Sequence, residues 1–228
     1  MRTLTPPAPE APRAPAPGPV TRRLLACGPA AGTLFVGAFL VQGALRAGYD
    51  PLRHPVSSLA LGPHGWVQSA NFVVAGLLTL AFTAGLARAL RGSRSLPVLV
   101  GIWGAMLVAA GVFTTDPVSG YPPGTPDLLP HYSGLAAELH DLVSLPAFVA
   151  LPVACAVFAV RCARAGERAW AVYSAVSAVV FAVAFGLATA AFAQAPALVA
   201  YGGLFQRVAV VTGWAWLALL GVRLLRRP

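Results

Sequence analysis

Charged residues are scarce in this chain. Only 10% of its 228 residues are Asp, Glu, Lys or Arg, whereas soluble domains carry about 25%. A soluble fold of this size could not cover its surface with so few charges. Hydrophobic residues make up 57% of the chain, and its mean hydropathy of +0.73 excludes intrinsic disorder for most of its length. The composition therefore predicts an integral membrane protein.

Lysine is absent, so all 16 basic residues are arginines, against 7 acids and a formal net charge of +9. Nucleic-acid binding would need a basic face on a soluble domain, and we predict no nucleic-acid partner. The arginines instead flank apolar runs, as in cytoplasmic loops that face anionic lipid. The three cysteines are an odd number without a framework spacing, which argues against a disulfide scaffold.

Six apolar runs, each near the ~20 residues that span a bilayer, follow a Pro- and Ala-rich tail. We predict a disordered cytoplasmic tail over 1–20 and a six-span membrane domain over 21–228. The fold class is all-α, a polytopic transmembrane bundle of six helices. The predicted spans are about 24–45, 66–87, 97–114, 139–160, 169–192 and 204–222.

The arginines also predict an orientation. Most of them flank the spans on the side of the two termini, and only Arg46, Arg53 and Arg207 lie on the other side. Cytoplasmic loops carry the excess of positive charge. Both termini are therefore predicted to be cytoplasmic, with two long loops, about 47–65 and 115–138, outside.

The outer side has a different chemistry, because it holds all four histidines and five of the seven acids. Function often lies in long loops on a rigid scaffold. The hypothesis is an extracytoplasmic polar site that binds or handles a lipid or another ligand with a headgroup. The ligand-binding candidates are Asp50, Arg53, His54, Ser57, Asp116, His131, His140, Asp141 and Arg207.

The first outer loop has two interpretations. Arg53 could bind phosphate or carboxylate through two parallel hydrogen bonds, with His54 as an acid–base group or as a ligand-binding residue. Alternatively, an Asp50–Arg53 ion pair pins the loop, and Ser57 or Ser58 caps a short re-entrant turn.

The entry to the fourth span places Glu138, Asp141 and Ser144 at a spacing of three, on one helix face, with His140 about 100° away. A hydrogen-bonded cluster with Arg53 or Arg207, acid–base catalysis and a metal site all remain open.

The catalytic residues are unknown, with His140, Asp141 and His54 as candidates. A triad could also be assembled from Ser57, His140 and Asp116, but no serine is marked as an elbow nucleophile. No metal signature is matched, so no metal is predicted, and the weak candidates would be His131, His140 and Asp116. The sequence specifies no cofactor.

The fifth span, 169–192, carries one stripe of small residues at a spacing of four. Such stripes allow close helix approach, within the bundle or against a membrane-protein partner. The stripe consists of Ser174, Ala178, Ala182, Gly186 and Ala190.

Several motifs together resemble a known family. They are Asp50-Pro-Leu-Arg-His-Pro-Val-Ser-Ser-Leu, Gly65-Trp66, Asn71-Phe72, Asp116-Pro-Val-Ser-Gly-Tyr and His140-Asp141. Over about 20–225 the chain resembles the bacterial six-helix membrane family catalogued as domain of unknown function 998. The resemblance implies a multi-pass protein of the plasma (inner) membrane and no particular activity. A looser similarity to eukaryotic six-helix proteins of lipid-anchor remodelling implies lipid handling.

Three functions therefore remain open. The first is a lipid- or headgroup-binding protein. The second is a non-catalytic membrane partner or sensor subunit. The third is a lipid-directed hydrolase or transferase that uses His140 or His54 as general base. An ion-coupled transporter is disfavoured, because no ionisable residue lies near the centre of a span.

Overall fold

The computed structural model describes residues 17–90 and 92–226. They form six long helices and two short 3₁₀ turns, Val56–Ala60 and Val199–Tyr201, and the described residues contain no strand. Each helical segment is long and apolar enough to cross a membrane, so the predicted all-α, six-span fold is confirmed. The helices are α1 (Pro19–Leu45), α2 (Gly65–Ala89), α3 (Ser95–Val112), α4 (Leu135–Arg164), α5 (Arg168–Phe192) and α6 (Gly202–Leu225).

The helix bounds differ from the predicted spans by a few residues. Helix α1 begins at Pro19, so the last two residues of the predicted tail are helical. Residues 1–16 of that tail lie outside the described residues. Helix α4 is longer than its apolar run at both ends and continues through Pro146 and Pro152. Hydropathy marks only the apolar part of such a helix, whereas its first turns are polar.

The six helices form a closed ring. Each one packs against its neighbours in the sequence, and α6 packs against α1. The Arg22 guanidinium donates to the Leu225 carbonyl at 2.9 Å, so the start of α1 and the end of α6 lie side by side. We call this the termini end of the bundle. The opposite, long-loop end holds the connections 46–64 and 113–134.

Small residues allow a close helix crossing between α2 and α3. A Cβ at Gly76 would lie 2.7 Å from the Gly104 carbonyl oxygen, and one at Gly104 would lie 3.1 Å from the Gly76 oxygen. Backbones in membrane proteins approach this closely where small side chains face each other. These two glycines therefore fix how α2 and α3 pack.

Aromatic side chains fill the middle of the bundle. The Trp103 ring lies 5.7 Å from Trp214, 6.2 Å from Phe181 and 6.0 Å from Phe148, in edge contacts. Toward the termini end the interior is packed with fully buried Leu and Phe side chains, including Phe82. The bundle is thus solid below this aromatic layer, and the space above it is described next.

Candidate functional site

A cavity of about 890 Å³ occupies the long-loop half of the bundle. All six helices and both long connections contribute to its wall. Its inner part is aromatic, because Phe35, Trp103, Phe148 and Phe185 line it. The rings of Phe148 and Phe185 are stacked with centroids 4.3 Å apart. The aromatic layer of the core is therefore the floor of the cavity.

The mouth of the cavity is polar. Five of the nine ligand-binding candidates line it: Ser57, Asp116, His131, His140 and Asp141. Glu138 and Ser144 line it together with Asp141, which confirms that these three side chains share one face of α4. Their role in binding a ligand stays a prediction.

His140 is 4% exposed, and one of its ring nitrogens makes a hydrogen bond. Its Nδ1 lies 2.7 Å from the carbonyl oxygen of Phe113, the residue that caps the end of α3. A carbonyl only accepts, so Nδ1 carries the hydrogen, and in the neutral imidazole Nε2 carries the lone pair. Nε2 has no hydrogen-bond partner among the described residues. It is the free polar atom of a buried side chain that lines the cavity.

Three carboxylates surround Tyr132, which lines the mouth. Its hydroxyl donates to Asp141 Oδ2 at 3.1 Å. The charge of Asp141 raises the pKa of Tyr132 most, and the charges of Glu138 and Asp116 raise it further. Asp116 itself accepts from the backbone N–H of Ser133 at 2.9 Å and from its hydroxyl. None of the arginines in the described part lines the cavity, so its mouth is negatively charged.

The other candidates build the first long connection instead. His54 is 5% exposed. Its Nδ1 accepts from the Asp50 N–H at 2.9 Å, and its Nε2 donates to the Ser119 carbonyl at 3.1 Å. Burial lowers the pKa of His54 below its ordinary value. Both ring nitrogens are occupied, so the geometry favours a structural role over that of a general base.

Arg53 joins the two long connections. Its Nε donates to the Ser119 carbonyl at 2.9 Å, and its NH2 group pairs with Asp127 Oδ1 at 2.8 Å. The predicted Asp50–Arg53 pair is therefore wrong. The Asp50 carboxylate accepts from the N–H of Leu52 at 2.8 Å instead. This local bond folds the Asp50 side chain back onto its own loop, while Asp127 reaches Arg53 from the other loop.

The predicted serine cap is also wrong. The re-entrant turn exists as the 3₁₀ helix Val56–Ala60, but Pro55 occupies its N-cap and no side chain caps it. The Ser58 hydroxyl is buried without a partner, whereas Ser57 lines the cavity. The N–H of Val56 donates instead to Gln206 Oε1 of α6 at 2.7 Å, so a neighbouring helix supplies the missing acceptor.

Arg207 holds the first connection against α6. Its NH1 group donates to the His54 and Gly203 carbonyls at 3.0 and 2.9 Å, and its NH2 group donates to the Tyr49 hydroxyl. Tyr49 in turn donates to the Pro55 carbonyl at 3.0 Å. Burial raises the pKa of Tyr49, although the charge of Arg207 opposes the shift.

The candidates therefore form two groups. Ser57, Asp116, His131, His140 and Asp141 line the cavity, whereas Asp50, Arg53, His54 and Arg207 fix the loop beside it. The described residues contain no group of three His, Cys, Asp or Glu side chains that could hold a metal. His131, His140 and Asp116, named above as metal candidates, do not form one.

Ser119 has a central position that sequence reasoning missed. Its carbonyl accepts from both Arg53 and His54, and its hydroxyl accepts from Gln194 at 3.3 Å. Its φ of 58° and the φ of 80° at Gly120 place both residues in the left-handed region, as in a type I′ turn. The Ser-Gly dipeptide is the only local signal of this turn, and it does not reveal the partners.

The small-residue stripe on α5 is only partly inside the bundle. Ser174 is buried and accepts from the Trp216 indole N–H at 3.0 Å. Ala182 is exposed, and a Cβ at Gly186 would have nothing within 4 Å. Contact with a membrane-protein partner through this stripe remains a prediction.

One of the comparisons with known proteins found a match. The family model described as Protein of unknown function (DUF998) matches residues 29–223, which includes all but the first part of α1 and the end of α6. The chain belongs to this family. No curated protein and no solved structure matches the chain significantly. The DUF998 membership covers the whole cavity and assigns no activity, so function has to be argued from the cavity itself.

Proposed function

We propose that this DUF998 protein binds an amphiphilic ligand, such as a lipid, in the cavity. The ligand's head would lie at the polar mouth and its apolar part on the aromatic floor. The observation that carries the proposal is the gradient along α4, where Asp141 lines the mouth and Phe148 lines the floor. Seven residues of helix separate them, a rise of about 10 Å. A cavity that changes from carboxylate to aromatic over this depth matches a molecule with two unlike ends.

Unsatisfied polar groups support a ligand. The buried Nε1 of Trp103, whose side chain is 2% exposed, has no partner in the described part of the chain. The Nε2 of His140 makes no hydrogen bond there either. Leaving a polar group unpaired in a buried site costs about 1–3 kcal/mol. Both side chains line the cavity, whose volume falls within the range of small-molecule sites, about 300–1,000 Å³.

Exposure of the cavity wall supports access from the bilayer. Leu145 of α4 and Thr189 of α5 both line the cavity. Leu145 is nevertheless 57% exposed, and Thr189 is exposed as well. We propose that an apolar tail enters the cavity at this side, between α4 and α5, without crossing water.

The arginine distribution supports the orientation. The connections at the termini end carry Arg88, Arg94, Arg161, Arg164 and Arg168, as expected for a cytoplasmic face. In this orientation the mouth of the cavity would face the outside of a plasma membrane. A fluorescent protein fused after Pro228 should then fold and fluoresce, whereas a secreted phosphatase fused there should stay inactive. An active phosphatase at this position would reverse the orientation.

Native mass spectrometry of the full chain released from membranes tests the binding itself. Wild-type protein should retain a bound amphiphile. Ala188→Trp should lose it, because Ala188 is 1% exposed and lines the cavity. Ala110→Trp, on α3, fills the same cavity from another helix and guards against a folding defect in the first variant.

Ala182→Trp is the matched control, because Ala182 lies on the same helix as Ala188 but is exposed. It should retain the amphiphile at the wild-type level. Equal retention by all four proteins would show that the bound molecules lie outside the cavity and would refute the proposal.

A further inference from the structure

We propose that the head of the amphiphile is a cation, of the alkylammonium class. This inference rests on the proposed function and concerns the same cavity. It differs from one interpretation of the first outer loop, in which Arg53 binds phosphate or carboxylate. The difference follows from which charged side chains line the cavity and which are engaged elsewhere.

The three arginines of the long-loop end all make hydrogen bonds or an ion pair with other residues of the protein. Arg46 donates to the carbonyls of Leu59, Leu61 and His64 at 2.9–3.2 Å. Arg53 pairs with Asp127, and Arg207 binds two carbonyls and a hydroxyl. None of the three lines the cavity. A phosphate or sulfate head in the mouth would therefore meet no arginine.

Two carboxylates at the mouth are left as acceptors without a basic partner. The Glu138 side chain makes no hydrogen bond or ion pair within the described residues, and the Asp141 carboxylate accepts only from the Tyr132 hydroxyl. The free nitrogen of His140 is an acceptor in the tautomer that its bond to Phe113 requires. The Tyr132 hydroxyl, which also lies at the mouth, already donates its hydrogen to Asp141. Ammonium groups supply the N–H donors and the positive charge that such a set lacks.

Electrostatics and aromatic side chains point the same way. The carboxylates Asp141, Glu138 and Asp116 all raise the pKa of Tyr132, so their charges converge on one place. Phe72, Tyr132 and Phe192 line the same cavity. Aromatic faces attract quaternary ammonium groups, which cannot donate hydrogen bonds. Both substituted and unsubstituted ammonium heads therefore suit this mouth, whereas an anionic head would be repelled.

Binding of a matched pair of probes tests the inference. Tritiated decyltrimethylammonium is bound to the full chain in a maltoside detergent at low ionic strength, and unlabelled decyltrimethylammonium, decyl sulfate and tetramethylammonium compete. We expect the cationic decyl compound to compete at least about 10-fold better than decyl sulfate, which corresponds to about 1.4 kcal/mol. Tetramethylammonium, which has the head without the tail, should compete far more weakly.

Variants locate the effect. The double variant Glu138→Gln, Asp141→Asn should weaken binding of the cation about 10-fold, a loss of about 1.4 kcal/mol. Both side chains are exposed, so the fold should survive, and the single variant Glu138→Gln provides a milder check. Asp50→Asn is the control, because Asp50 is an exposed acid of the same end that does not line the cavity. It should bind like wild type.

The outcomes separate the two proposals. Loss of binding in Ala188→Trp would show that the cavity holds the amphiphile. If decyl sulfate then competes as well as the cation, or if the double variant binds the cation like wild type, the cationic preference is refuted. If Ala188→Trp binds the cation normally, the probe is not in the cavity and the proposed function fails as well. If tetramethylammonium competes as well as the decyl compound, the tail contributes nothing and the amphiphile is refuted.

Discussion

Replacing Arg207 by Met would separate a structural role from a ligand-binding one. Arg207 joins α6 to the first long connection through the His54 carbonyl and the Tyr49 hydroxyl. Hydrogen bonds from a charged donor contribute about 1.5–3 kcal/mol each. Both acceptors keep a second contact, since Tyr49 still reaches the His54 and Pro55 carbonyls. We therefore take the lower end for each of the two bonds and expect a loss of about 3 kcal/mol.

The protein carries its own reporter of unfolding. Cys155 and Cys162 are buried free thiols, so a thiol-reactive dye should label them only when the bundle opens. For a chain of this size, 1 kcal/mol shifts Tm by about 2–4 °C. Arg207→Met should thus lower Tm by about 6–12 °C in the same detergent. Met approximates the length of the arginine stem, which limits the loss of packing.

The control and the refuting result are equally specific. Arg226→Met removes an exposed arginine of the termini end and should leave Tm within about 1 °C of wild type, as expected for most surface substitutions. An unchanged Tm for Arg207→Met, together with lost binding of the decyl probes, would refute the structural role. That pattern would instead indicate that Arg207 binds the headgroup, as the sequence suggested.

Two further predictions concern the same loop. Burial lowers the pKa of His54, so the unfolded chain binds more protons as the pH falls below the ordinary histidine value of about 6.5. Wild-type Tm should therefore drop from pH 7 toward pH 5, and His54→Gln should flatten that part of the profile; a parallel drop in the variant would contradict this. Gly203→Ala should destabilise the protein, because its Cβ would lie 2.4 Å from the His54 carbonyl oxygen. Gly186→Ala, with open space around it, should leave Tm unchanged or higher, and equal effects of the two would refute the close approach.

The six spans were predictable because bilayer thickness imposes a length and a composition on every crossing segment. The shared face of Glu138, Asp141 and Ser144 was predictable for a related reason, since it depends only on the helical period. Both signals are local in the sequence. The structure extends the helix ends by a few residues, where polar first and last turns carry no hydropathy signal.

The sequence could not predict which candidate residues line the cavity and which hold the loop beside it. Arg53 has Asp50 three residues away but pairs with Asp127, 74 residues later in the chain. His54 and Arg207 are held by the carbonyls of Ser119 and His54, and a carbonyl has no signature in the sequence. The interpretation of Arg53 as a phosphate or carboxylate ligand therefore could not take account of its partners in the structure, which favour a structural role.

Photolabelling tests the central claim most directly. A decylammonium probe with a terminal diazirine is activated on the wild-type chain in maltoside, and the labelled peptides are mapped. The account predicts labels on the cavity face of α4 and α5, at Phe148, Phe185 and Ala188, and their loss in Ala188→Trp. Labels confined to the outward face of α5, at residues such as Val176 and Val183, which are 53% and 57% exposed, would contradict it.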